Sequence, residues 1–212
     1  MIYKNKKELI TSVISAEEIV LDVGFFGQGV DSTKPNWVHH LLKRRARDVY
    51  GLDLDFDASS FPGDHYLKAS AEDFSFGRTF DSIFAGDIIE HLSNPGLFLD
   101  SCAEHITNDG VLIITTPNCF NLFNLAEKIS KGEPTVNKDH TCYFNSKTLK
   151  QLLQKNDWEI TRLDFLYSLE VDFKESFKKK LLNIVYKGVS LMTPRFLETI
   201  VVIAKKKEVS SV

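Results

Sequence analysis

Val20-Leu21-Asp22-Val23-Gly24-Phe25-Phe26-Gly27-Gln28-Gly29 is an apolar run that closes on an acid and then breaks into glycines. A short apolar run bounded by turn residues reads as a buried strand, here one that enters a glycine-rich loop. Glycine is needed where backbone must take a positive φ or come close to a ligand. At the carboxyl edge of the first strand, such a loop is where doubly wound α/β sheets bind nucleotide-like cofactors. The spacing is GxxGxG and not the GxGxxG dinucleotide fingerprint, so the loop alone also fits a tight strand–helix turn with no ligand.

Periodicity outward from this loop extends the pattern. A helix is expected over residues 6–15 and a first strand over 18–23. A helix over 35–47 starts near Pro35, with Trp37, Leu41 and Leu42 at helical spacing. Strands are expected over 48–54, 65–69, 82–85 and 110–116, with helical pattern over 88–92 and 96–105. Strand and helix alternate through short connections, which predicts a parallel sheet covered on both faces. Beyond Pro117 an irregular stretch to about Asn145 precedes a helix over 146–156, a strand over 158–167 and a last strand over 197–204. Asp53 is the first acid at the end of the second strand, placed to accept hydrogen bonds from both hydroxyls of a ribose. Asp55 and Asp57 follow it closely.

The chain has 212 residues, 43% hydrophobic and 26% charged, which predicts a single globular domain. Sixteen Phe, six Tyr and two Trp exclude a disordered chain. A net charge of -3 argues against a dedicated nucleic-acid binder, which needs a basic excess. Cys102, Cys119 and Cys142 have no zinc or disulfide-framework spacing, so reduced thiols and a cytoplasmic location are expected. The N-terminal residues lack a continuous apolar stretch of signal-peptide type, and no run is long enough for a transmembrane segment.

Asp22-Val23-Gly24 with its glycines resembles the first motif of the class I S-adenosylmethionine (SAM)-dependent methyltransferases, and Tyr50-Gly51-Leu52-Asp53 resembles their second. Lys68-Ala69-Ser70-Ala71-Glu72-Asp73-Phe74 is similar to the stretch that edges the adenine. Residues 80–92, ending Asp87-Ile88-Ile89-Glu90-His91-Leu92, resemble the fourth strand and its following turn, and residues 109–118 the fifth strand with its Pro-Asn ending. These stretches stand in family order between residues 18 and 118, and the segment from Asp139-His140 to Trp158 continues the likeness. The resemblance implies a Rossmann-like, seven-stranded sheet in the order 3-2-1-4-5-7-6, its last strand antiparallel, with helices on both faces. It implies SAM as cofactor, with contacts from Asp22, Gly24, Phe25, Gly27, Gly29, Asp53, Leu54, Ala71, Glu72 and Asp87. Two departures stand out: Phe25-Phe26 adds one residue to the loop, and Ser70 stands where many relatives carry Asp.

Asp87, Glu90 and His91 have the i, i+3, i+4 spacing of one helical face, so two carboxylates and an imidazole are expected to converge. A similar cluster binds metal in ubiquinone-pathway and small-RNA 2′-O-methyltransferases, where a later His completes the site; His140 sits in the matching segment. The resemblance therefore implies a magnesium or manganese site at Asp87, Glu90, His91 and His140, with Asp87, His91 and His140 as catalytic candidates. The alternative is a metal-free pocket in which His91 or His140 is a wall or general base. His39 and His40 are expected at or near the surface without a partner, and Asn118, Asn121 and Tyr143 are acceptor-pocket candidates. A helical insertion is expected at about 170–194, where Phe177, Leu181, Ile184 and Leu191 form one apolar row. Packing over the sheet, dimerisation and membrane contact are its possible roles. The expected activity is methyl transfer to a hydroxyl of a small molecule or glycan, by a monomer or homodimer. Its rivals are an NAD-dependent oxidoreductase and a SAM-binding relative without catalysis.

Overall fold

The computed structural model describes residues 1–27, 33–167, 188 and 193–207. Gly29 lies outside them, as does the expected insertion at 170–194 apart from Gly188, Thr193 and Pro194. The described chain runs β1 (Ile2–Tyr3), α1 (Lys6–Val13), β2 (Ile19–Val23), α2 (Val38–Lys43), β3 (Asp48–Asp53), β4 (Tyr66–Lys68) and β5 (Phe80–Gly86). A 3-10 turn (Ile89–His91) follows, then α3 (Pro95–His105), β6 (Ile106–Pro117), α4 (Leu122–Lys131), α5 (Ser146–Lys155), β7 (Trp158–Leu166) and β8 (Thr199–Lys206).

The strands form one sheet in the order β1-β7-β8-β6-β5-β2-β3-β4. Starting from β2 as the first strand, this is the expected order 3-2-1-4-5-7-6, and β8 runs antiparallel to both β6 and β7. An eighth strand corrects the expected count: Ile2 and Tyr3 pair in parallel with Phe165 and Leu166 at the far edge. Two residues are too few for a period-2 pattern to register. Buried Tyr3 holds the pairing by donating from its hydroxyl to Asp164 Oδ2 at 3.2 Å.

Alternation along the central strands separates two cores. Leu21, Val23, Ile83, Ala85, Leu112 and Ile114 face one side, with Phe98, Leu99 and Cys102 of α3 and Leu149 and Leu153 of α5. Val20, Val49, Phe84 and Ile113 face the other, with Leu9 and Ile10 of α1 and Leu41 and Leu42 of α2. Each fully buried side chain of this kind contributes about 1.5–3 kcal/mol. Helix starts are set by side-chain caps. Asn94 accepts from the amides of Gly96 and Leu97 ahead of α3, with Pro95 in its first turn, and Asn145 forms a capping box with Thr148 at α5.

Two further expectations need correction. The stretch after Pro117 contains α4, opened by Asn121, which accepts from the amide of Asn124. The helical pattern at 88–92 forms only the 3-10 turn, and Asp87 precedes it with a left-handed φ of 55°. Among the described residues no helix is long and apolar enough to cross a membrane.

Candidate active site

The carboxyl ends of β2, β3, β5 and β6 open into a cleft of about 740 Å³. Its walls include Asp22, Gly24, Phe25 and Gly27 from the loop, Asp53 and Leu54 after β3, and Asp87, Glu90 and His91 after β5. His140 closes it from the far side, and Lys6 of α1 reaches in from above. Two expected cofactor contacts, Ala71 and Glu72, do not line it. Glu72 accepts through Oε1 from the amide of Asn94 at 2.8 Å and so braces the start of α3.

The loop absorbs its extra residue in a definite way. Gly24 turns with φ 74°, and a Cβ there would lie 3.2 Å from Ile88 Cδ1, so the position requires glycine. The Phe25 ring then packs into a nest of Trp37, Phe56, Phe61 and Tyr66, with ring centroids 5.1–6.3 Å apart. Trp37 Nε1 donates to the Phe25 carbonyl at 2.8 Å and holds it there. Asp53 holds the rest of the loop: its Oδ2 accepts from the amides of Phe26 (3.0 Å) and Gly27 (2.9 Å). Asp55 also borders the cleft and pairs with Lys68 at 2.6 Å.

Asp87 does not share a helical face with Glu90 and His91. Its Oδ2 accepts from Lys6 Nζ at 2.6 Å and its Oδ1 from Thr115 Oγ1 at 2.9 Å. Burial alone would raise this carboxyl, but Lys6 and the Thr115 hydroxyl outweigh it and bring it below the ordinary carboxylate value. Of the four expected metal ligands, the structure groups three: one ligand atom each of Glu90, His91 and His140 lie within 4.8 Å of one another. Asp87 is not in the group, being committed to Lys6.

The segment after α4 builds that group by clamping onto the 3-10 turn. The amides of Thr141 and Cys142 donate to the Glu90 carbonyl at 2.8 and 3.1 Å, and Thr141 Oγ1 donates to the Leu92 carbonyl at 2.7 Å. His91 Nδ1 lies 3.2 Å from the Asp139 carbonyl, which can only accept, so Nδ1 carries the proton and Nε2 keeps its lone pair. Glu90 is 2% exposed; Oε2 accepts from Thr116 Oγ1 at 2.9 Å, whereas buried Oε1 has no partner. Burial, and then the Asp87 charge, push its carboxyl up to about 7. Burial and the neighbouring His91 lower His140 below the ordinary imidazole value. An orphaned carboxylate oxygen beside two imidazoles fits a first-row transition ion such as manganese, iron or zinc. Magnesium, which prefers oxygen ligands throughout, fits this donor set poorly.

Asn118 and Asn121, expected in an acceptor pocket, are structural. Asn118 Nδ2 donates to the carbonyls of Arg195 and Leu197 and fastens the approach to β8, while Asn121 Nδ2 donates to the Asn118 carbonyl. Tyr143 is exposed and away from the cleft wall. Two residues escaped sequence reasoning. Lys6 carries no sequence signal, because only the packing of α1 brings it over β5. His39 shares a helical row with Leu42, a signal of burial, and it is buried against Asp22 and Tyr66.

Comparison with known proteins agrees with this fold. The family model described as a methyltransferase domain matches residues 12–163. A ubiquinone biosynthesis O-methyltransferase of Rickettsia akari is 27% identical over 104 residues, covering 47% of this chain and 41% of that protein. The match thus spans less than half the length of that curated relative. A SAM-dependent methyltransferase from Archaeoglobus fulgidus superposes with a TM-score of 0.60 at 18% identity, covering 94% of both chains. The Burkholderia thailandensis 1,6-didemethyltoxoflavin-N1-methyltransferase, solved with S-adenosylhomocysteine, superposes with a TM-score of 0.56 at 15% identity, covering 97% of this chain and 80% of that one. The position of antiparallel β8 between β6 and β7 also separates this sheet from the dinucleotide-binding order.

Proposed function

We propose, from the premise that this chain belongs to the class I SAM-dependent methyltransferases, that it transfers a methyl group from SAM to a hydroxyl oxygen of a small molecule or sugar. The observation that carries this reading is the shared cleft. Asp53 and the glycine loop line it together with Glu90, His91 and His140, whose ligand atoms cluster. SAM supplies a methyl already activated on a positively charged sulfur, so the protein's work is to align, to exclude water and to handle a proton. Gly24 and Gly27 give the cofactor backbone it can approach, Asp53 takes the ribose hydroxyls, and Asp22 and Asp87 lie along the same wall.

A hydroxyl acceptor must lose its proton as the methyl arrives. A manganese-type ion held by Glu90, His91 and His140 would lower the acidity threshold of that hydroxyl as a Lewis acid. The chain's own contribution is to present His91 Nε2 bare by fixing Nδ1–H on the Asp139 carbonyl. Burial favours the neutral form of His140, whose lone pair is then available as ligand or base. The ubiquinone-pathway relative, an O-methyltransferase by its name, supports oxygen as the acceptor atom.

The test incubates the protein with methyl-labelled SAM and pooled quinol precursors and sugar nucleotides, before and after dialysis against chelator, with metal content measured in parallel. Label is expected in a hydroxyl-bearing acceptor, lost on chelation and restored by manganese. His140→Ala is expected to lower turnover, with partial rescue by added manganese. Full activity in a metal-free sample would end the metal reading and leave His91 or His140 as wall or base. Label only on an amine or carbon acceptor would end the hydroxyl reading.

A further inference from the structure

Beneath the glycine loop lies a buried polar chain that the proposed chemistry does not use. His39 of α2 is 1% exposed and walled by the rings of Phe25, Trp37 and Tyr66. Its Nδ1 lies 3.0 Å from Asp22 Oδ2 and its Nε2 lies 3.2 Å from the Tyr66 hydroxyl. Lys43 Nζ donates to that hydroxyl at 3.0 Å. The donors run in one direction. Lysine can only donate, so the Tyr66 oxygen accepts from it and turns its own hydrogen toward Nε2. The imidazole then carries its proton on Nδ1 and gives it to the carboxylate. Every member is satisfied with the imidazole neutral, as a buried network requires.

Asp22 is 2% exposed, yet it lines the cleft. The titratable groups acting on it are His39 from α2, Lys6 from α1 and Asp53 from β3. Burial raises its carboxyl and His39 opposes the rise. A carboxyl of this kind binds a cation only while it stays ionised and aimed.

We propose that His39 is a positioning residue for cofactor binding: through Lys43, Tyr66 and His39 the fold keeps the Asp22 carboxylate ionised and oriented to receive the cationic methionine end of the cofactor. This rests on the SAM-binding reading. Position 39 is then selected by the atom it offers at the δ position. Asparagine, whose side-chain amide donates from nearly the same place, should serve; leucine should not.

The test is the pH dependence of S-adenosylhomocysteine affinity, by calorimetry across the pH range in which the protein stays folded. The parent protein is expected to lose affinity on the acid side as Asp22 takes a proton. His39→Leu should move that acid limb up by about one pH unit, about tenfold weaker binding below it. His39→Asn should keep the limb where the parent has it. A uniform loss at every pH in both variants, or no change in either, overturns the proposal. Should His39→Leu not fold, the tautomer of His39 in the parent decides by itself. Long-range 1H–15N correlation at about pH 8, with the carboxyl ionised, is expected to find the His39 proton on Nδ1, and a proton on Nε2 alone overturns the proposal. No binding by the parent at any pH removes the methyltransferase reading and this inference with it, whereas binding with an unmoved limb removes this inference alone.

Discussion

Glu90 sits on a tight turn with one oxygen on Thr116 and the other on nothing, and its protonation is coupled to folding. Its carboxyl is raised from 4.5 to about 7, so between those pH values the folded chain binds a proton that the unfolded chain has lost. Stability from this group is therefore full below 4.5 and falls as pH rises toward 7, by an amount on the order of 3 kcal/mol. Glu90→Gln should flatten that slope and leave the metal-free protein more stable than the parent at pH 8, as read by urea titration. The same variant should retain no manganese. Asp53→Ala should weaken S-adenosylhomocysteine binding at least tenfold by calorimetry, about 1.4 kcal/mol or more, while Asp55→Ala, which breaks only an exposed pair with Lys68, should change little. At this scale the sequence pointed to acids and histidines that line one cleft but not to their partners. The spacing of Asp87, Glu90 and His91 suggested one helical face. A left-handed Asp87 and a single 3-10 turn separate them, and nothing in the spacing distinguishes that turn from a helix. Lys6 was invisible because its neighbour Asp87 lies 81 positions away.

The elements were legible where burial was strong. β2, β3, β5 and β6 each bury consecutive residues in the sheet, and their apolar runs stood out accordingly. α4 was missed because none of its residues is buried, although Asn121 before it and Gly132 after it are ordinary helix punctuation. α5 was read correctly, and its start is a test of how local signals act. Asn145 and Thr148 exchange side-chain and backbone hydrogen bonds there, so Asn145→Ala should cost about 1 kcal/mol in chemical denaturation. Because no residue of α5 lines the cleft, cofactor affinity should not change. Gly51 in β3 marks another limit of reading from sequence. A Cβ there would stand 2.8 Å from the Phe25 ring, a packing demand set by a residue on a different element.

Across the whole molecule, the order of strands was anticipated from the family resemblance, with the apolar run at 197–204 supplying the seventh strand. The added edge strand was not, since two residues carry no pattern. A ligand that binds only the folded chain adds about 2.7 kcal/mol at a hundredfold excess over its dissociation constant. S-adenosylhomocysteine should therefore raise the melting temperature and NAD should not; the reverse pattern would contradict the family reading. The Asp53 carboxylate bears on how such a ligand enters. One of its oxygens already serves two loop amides. On the proposed cofactor reading, an arriving ribose would find one oxygen in use and the other turned to the exposed Asp55 amide, so entry and the hold on the loop draw on the same carboxylate. The grip on the ligand and the order of the loop are thereby tied to one side chain, and a change at Asp53 alters both at once.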